Sequence, residues 1–167
     1  MDNNKHHFSL TKRLSQCLCK TTISLKEYIC LIGDEGAFVI PDYQRGYVWG
    51  QKKKDGTSDS VTYLVQTLKE AFKAFPQKEV FLQGITAHGD DDSYDISLVD
   101  GQQRTTFFYL LLRFLGYDGY LKIRYEIRRQ SNQFLEVLDL SDIARNEEEP
   151  FQDVFFFKRT LRILKEN

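Results

Sequence analysis

The chain has 167 residues, with 23 Lys and Arg against 24 Asp and Glu, a formal net charge of −1 and a pI near 6.3. That balance excludes a general electrostatic attraction to nucleic acid and leaves only local basic sites open. The length suits one domain with a sizeable core, an aromatic content of 14% is available to fill it, and no stretch is apolar for long enough to span a membrane.

The start, Met1 to His7, is polar, and Cys17, Leu18 and Cys19 lie in a mixed segment unlike the apolar centre of a signal peptide. Three cysteines, an odd number, do not suggest a disulfide framework. Cys17 and Cys19 with His6 and His7 fit no common zinc spacing, so reduced thiols in a cytoplasmic protein are expected. Residues 1–20 read as partly disordered or as holding a short helix. A clearer helix starts near Ser24, where Ser24 and Glu27 have capping-box spacing and Tyr28, Ile29, Leu31 and Ile32 supply apolar positions before Gly33 stops it. A short strand, Ala37 to Ile40, ends at Pro41.

Ile40-Pro41-Asp42-Tyr43-Gln44-Arg45-Gly46-Tyr47-Val48-Trp49 is a loop by its Pro and Gly, yet it carries three large aromatics. Two readings stand. Either Gln44 and Arg45 reach a ligand while Tyr43, Tyr47 and Trp49 anchor the loop or stack on a base, or the loop packs on its own core with Arg45 paired to Asp42. Gln51 to Ser58, with Lys52, Lys53 and Lys54 in a row, is a charged surface loop. Asp59 or Ser60 caps a helix running to about Phe75, with Val61, Leu64, Val65, Leu68, Ala71, Phe72 and Phe75 as its apolar stripe and Pro76 closing it. Val80 to His88 and Tyr94 to Val99 read as the two strands of a hairpin about the turn Gly89 to Ser93. The aspartates of that turn lack the spacing of a calcium loop. Gly84 marks a bulge or a close approach to the backbone.

Val99-Asp100-Gly101-Gln102-Gln103-Arg104-Thr105-Thr106 joins this strand to an apolar run, Phe107 to Leu115. The pattern predicts strand, tight turn, helix. Gly101 opens dihedrals closed to other residues, and the first N–H groups of the following helix, at the positive end of its dipole, make an anion site. A phosphate is one occupant. The alternative has Asp100 cap the helix and Arg104 pair with a surface acid. The helix itself, from Gln102 or Gln103 to about Leu115, is apolar around most of its circumference and is expected at the centre, ending at Gly116. Leu121 to Ile127 alternates as a half-buried strand followed by Arg128 and Arg129. Ser131 is expected to cap a short helix carrying Phe134, Leu135 and Leu138. Asn146 to Pro150 is an acidic linker, and a last helix, Phe151 to about Lys165, buries Val154, Phe155, Leu161 and Leu164.

Taken together these segments resemble a known family. Ile40 to Trp49 is similar to the first signature of the GmrSD-type restriction endonuclease N-terminal domain, and Val99 to Thr106 is similar to its second. Phe81-Leu82-Gln83-Gly84-Ile85 resembles the segment between them, with Gln83 a departure from the usual Phe-Leu-Gly-Ser, and Tyr125 to Leu135, with Arg128, resembles the segment after the central helix. The resemblance covers roughly Phe38 to Leu138. It implies an α+β fold with a ParB/sulfiredoxin-like core, a small mixed sheet with packed helices. The organisation expected is an N-terminal extension and leading helix over 1–36, a nucleotide-binding core over 37–140, and an acidic linker with the start of a C-terminal helical region over 141–167. It further implies a role in phage defence through recognition and cutting of modified DNA, with nucleoside triphosphate and Mg²⁺ as ligands of this domain. Relatives of that type continue into a helical region and a His-Asn-His nuclease. With three histidines, His6, His7 and His88, and no such motif, this chain is expected to be a piece of a longer protein or a short member, and not to cut DNA alone.

The site expected joins both signatures. Backbone N–H groups of Gly101, Gln102 and Gln103 meet a phosphate, and Arg104 and Arg45 neutralise it. Gln44 and Gln103 orient a phosphate oxygen or the attacking water. Asp100 is the candidate to hold Mg²⁺ or to align that water, and Arg128 closes the site. Two other readings stay open: a DNA-binding module using Arg45 and Lys52 to Lys54 on phosphates, and a structural or partner-binding domain whose motif residues form an internal polar network. The partners the resemblance implies are a nucleotide, modified DNA, and a C-terminal helical or nuclease region or partner subunit.

Overall fold

The computed structural model describes residues 22–33, 35–51, 57, 59–89, 93–117, 119, 121–141 and 149–167. Cys17 and Cys19 with His6 and His7, Lys52 to Lys54, Asp90 to Asp92, and Asn146 to Glu148 lie outside them.

The first helix among the described residues, α1 (Leu25–Cys30), opens with the expected capping box: Ser24 Oγ accepts from the Glu27 N–H, and Glu27 accepts from the Ser24 N–H at 2.7 Å. Strand β1 (Phe38–Ile40) is buried along its whole length, as a central parallel strand must be. Helix α2 (Ser60–Lys73) starts at Asp59, whose carboxylate takes the N–H groups of Val61 and Thr62. Its apolar stripe is buried only at the front, at Val61 and Val65, while Phe72 is 78% exposed and Phe75 lies fully in the open. The periodicity identified the face correctly, but the end of the helix overruns the core.

The hairpin forms from β2 (Thr86–Gly89) and β3 (Ile96–Asp100). The first strand is shorter than its sequence suggests. Residues 77–85 carry no strand, and Gln83 has φ 67°, a left-handed value that breaks extension. Helix α3 (Gln102–Phe114) is the buried central helix, with Thr105, Thr106, Phe107, Phe108, Tyr109 and Leu110 all inside. Strand β4 (Ile123–Tyr125) leads to α4 (Arg129–Val137). Ser131 lies within the first turn of α4 and does not cap it, because its hydroxyl donates to Asp153 at 2.8 Å. The last helix, α5 (Gln152–Glu166), buries Val154, Phe156, Phe157, Thr160, Leu161 and Leu164. Phe155, expected inside, is 38% exposed, since the run of three phenylalanines turns only two of them inward.

This is an α+β fold: among the described residues, five helices and one mixed four-stranded sheet in the order β2-β3-β1-β4. β1 pairs in parallel with β3 (Phe38 opposite Ile96) and with β4 (Ile40 opposite Tyr125), and β2 runs antiparallel to β3. The core continues from the sheet into the helices through stacked and tilted rings, Tyr47 and Phe134 each on Phe157. Its tyrosines keep a partner for each hydroxyl: Tyr47 with Thr160 at 3.0 Å, Tyr125 with Thr106 at 3.3 Å, Tyr109 donating to the Leu135 carbonyl at 2.7 Å. Because β3, β1 and β4 are parallel, the chain leaves all three at one edge of the sheet. There it meets, in turn, Gly101, the Pro41 to Trp49 loop, and Arg128. No helix among the described residues is long and apolar enough to cross a membrane.

Candidate functional site at the strand ends

Gly101, not Asp100, occupies the cap position of α3, with φ 93° and ψ 4°, and no side chain caps the helix. That left-handed conformation costs any residue with a Cβ. The position is also tight, since an added Cβ would lie 2.7 Å from Ile85 Cγ1. The first helical bond runs from the Thr105 N–H to the Gly101 carbonyl at 2.9 Å, so the N–H groups before it have no acceptor within the helix. The turn is held from below. Thr105 Oγ donates to the same carbonyl at 3.1 Å, and Tyr28, stacked on Phe38 with ring centroids 4.5 Å apart, meets Thr105 Oγ at 2.8 Å. Burial raises the Tyr28 phenol far above its ordinary range, keeping it a neutral donor. Thr105 belongs to the second signature, but Tyr28 does not stand out in the sequence. A tyrosine on the inward face of a short capped helix was the only signal.

Three amides stitch the first signature loop to this turn. Gln44 Nε2 donates to the Val99 carbonyl at 2.7 Å, and Gln44 Oε1 accepts from Gln102 Nε2 at 2.8 Å. The buried Gln103 accepts the Val48 N–H and donates to the Gly46 carbonyl, both at 3.0 Å. Arg104, 15% exposed, donates from Nη1 to the Leu82 carbonyl at 2.7 Å and pairs through Nη2 with Asp100 at 3.2 Å. Asp100 is 67% exposed. Arg104 therefore ties the irregular segment before β2 to the start of α3.

The other expected residues divide. Arg45 and Tyr43 are exposed, Tyr43 by 67%. Tyr47 is fully buried against Phe157, and Trp49 is half-buried with its ring 5.9 Å from Phe107, so both anchor the loop. On the far side of the loop Asp42 donates its N–H to Glu126 at 3.0 Å, and Arg128 lies 3.5 Å from the buried carboxylate of Asp153. The Lys52 to Lys54 run lies outside the described residues.

Among the described residues no group of three or more His, Cys, Asp or Glu side chains could hold a metal ion. Asp100 offers one carboxylate, with one oxygen engaged by Arg104. Such a site suits Mg²⁺ only when a ligand brings most of the oxygens, as phosphates do.

Fold and site thus define a small α+β domain that gathers glutamines, arginines and a bare helix start at the carboxyl ends of parallel strands. The chain matches the family model for the GmrSD restriction endonuclease, N-terminal domain, over residues 25–166, and it belongs to that family. It is thereby part of a restriction system. Comparisons with curated proteins and with solved structures give no match.

Proposed function

We propose that this domain binds a nucleoside triphosphate at the carboxyl edge of its parallel strands, as the regulatory, nucleotide-hydrolysing part of a modification-dependent restriction protein. The observation that carries the reading is the uncapped start of α3 at left-handed Gly101, beside Arg104 and the Arg45 loop. Ligands of parallel sheets settle in this crevice, and helix starts of this kind take phosphate. The N–H groups of Gly101, Gln102 and Gln103 receive a phosphate. Arg104 and Arg45 neutralise it, with Arg128 closing from the end of β4. Charge-assisted bonds contribute about 1.5–3 kcal/mol each, so two arginines and a helix start approach the ~8 kcal/mol of micromolar binding. Tyr43, the exposed aromatic of this loop, is the residue this reading assigns to stacking on a base. Mg²⁺ carried by the phosphates would add charge neutralisation, with Asp100 as its one protein ligand or as the group aligning water. The Gln103 side chain is engaged on Gly46 and Val48, and that of Gln44 on Val99 and Gln102, so the part of both is to place the loop beside the helix start.

In the whole system, modified DNA and a nuclease region or partner subunit, in the cytoplasm, are the partners this reading expects. Thermal unfolding with ATP, GTP, CTP and UTP, with and without Mg²⁺, tests it. A nucleotide at a hundred times its Kd adds about 2.7 kcal/mol of stability, and Arg104→Ala removes that gain. No shift with any of the four, together with DNA binding that falls steeply with salt, would replace this reading with the DNA-binding one.

A further inference from the structure

We propose that Asp153, on the last helix, is a positioning residue for the strand-end site, acting through Arg128; this rests on the nucleotide reading above. Two distant parts of the chain, the start of α4 and the first signature loop, meet at its carboxylate. Ser131 of α4 donates to Oδ2 at 2.8 Å, and Arg128, at the end of β4, stands 3.5 Å from the same oxygen. Gly46 of the first signature loop lies against Oδ1, leaving no room there for a Cβ. Asp153 is 4% exposed, and Oδ1 is buried without a hydrogen-bond partner among the described residues.

A buried carboxylate with an idle oxygen is a poor way to hold a core together, because the cost of removing it from water is returned only in part. Its place in the first turn of α5 offsets some of that cost through the helix dipole but calls for no arginine. The arginine is the informative partner. Arg128 is 36% exposed, and one terminal nitrogen rests on Asp153. Its guanidinium has five N–H donors, and among the described residues its one ion-pair partner is Asp153. Held at one corner, the guanidinium keeps its other donors for an anion at the strand ends. The same carboxylate sets how closely the Gln44–Gly46 loop lies on the sheet edge. The last helix thereby fixes both the loop and the arginine that flank the proposed phosphate site.

The test is a cycle of Asp153→Asn, Arg128→Ala and the double variant, each titrated with ATP, GTP, CTP and UTP and with inorganic tripolyphosphate, and each checked for unfolding midpoint. Asp153→Asn keeps a partner for Ser131 and removes the charge that holds Arg128. The expected result is about a tenfold weakening in each single variant and no further weakening in the double one, the signature of two residues acting as a unit. A second variant, Ser131→Ala, keeps the charge and loosens its orientation. It should weaken binding about two- to threefold when Arg128 is present and not at all in the Arg128→Ala background. Additive losses, or an Asp153→Asn or Ser131→Ala protein that binds as tightly as the parent, would overturn the proposal while leaving the nucleotide site standing. Failure of the parent chain to bind any of the five probes would remove the nucleotide reading and this one with it.

Discussion

Gln103 holds the carbonyl of Gly46 at 3.0 Å from a buried position on the central helix, 57 residues away in sequence. With its other end on the Val48 N–H, the amide satisfies two backbone groups of a loop that has no strand partner there. Replacing Gln103 by Ala leaves both without that partner. We expect a loss of about 2–4 kcal/mol in urea unfolding, larger than for Asp100→Asn or Arg104→Ala. A loss below 1 kcal/mol would mean that water replaces the amide.

Gly101 and Gly46 carry different constraints. Gly101→Ala meets both a left-handed backbone and Ile85, and is expected to cost about 2–4 kcal/mol. Gly46→Ala has no strain of backbone sign but collides with Asp153. Suppressing that collision by Asp153→Ala in the same chain should recover part of the lost stability, whereas no second change at Asp153 should rescue Gly101→Ala. Unfolding midpoints of the four proteins decide it.

Arg104 and Asp100 form an ion pair, yet they are not equal in what they support. Asp100 is 67% exposed, so Asp100→Asn should change stability by less than about 0.5 kcal/mol. Arg104→Ala also frees the Leu82 carbonyl and should cost about 1–2 kcal/mol while leaving the far-ultraviolet spectrum unchanged. Limited proteolysis should then cut first between residues 77 and 85, the segment that Arg104 ties down. Equal effects of the two variants would contradict this assignment.

Burial raises the phenols of Tyr28, Tyr47 and Tyr125 well above the ordinary value of 10.0. In the unfolded chain they ionise near that value. Their contribution is therefore fully present below pH 10 and is lost as pH rises toward their folded values. Each costs about 1.4 kcal/mol per pH unit in that range, roughly 4 for the three. Urea unfolding at pH 9, 10, 11 and 11.5 should show this fall. Tyr47→Phe should be less stable at neutral pH, through loss of the Thr160 contact, but should fall less steeply in alkali. An unchanged alkaline slope in Tyr47→Phe would show that Tyr47 ionises freely in the folded state.

Much of this architecture is written locally. Ser24 with Glu27, and Asp59 ahead of Val61, announced two helix starts, because capping needs only neighbours. Gly101 announced the turn, because its conformation is closed to other residues. The two signatures identified the family, and the match over residues 25–166 agrees. What depends on distant contacts was not legible. Among the described residues, Val80 to Ile85 has strand composition but finds no strand partner, Ser131 abandons a cap for Asp153, and Phe72 and Phe75 lie on an apolar face that no described residue covers.

The sequence by itself therefore determined the elements, the turn and the membership of the family, since these rest on neighbouring residues and on short-range periodicity. Only the tertiary structure decided which glutamine holds the loop, that Arg104 reaches back to Leu82, and that a buried aspartate on the last helix stands between Gly46 and Arg128. Those relations are set by three parallel strands ending at one edge of a sheet. Pairing across 22 or more residues leaves no trace in the spacing of either partner.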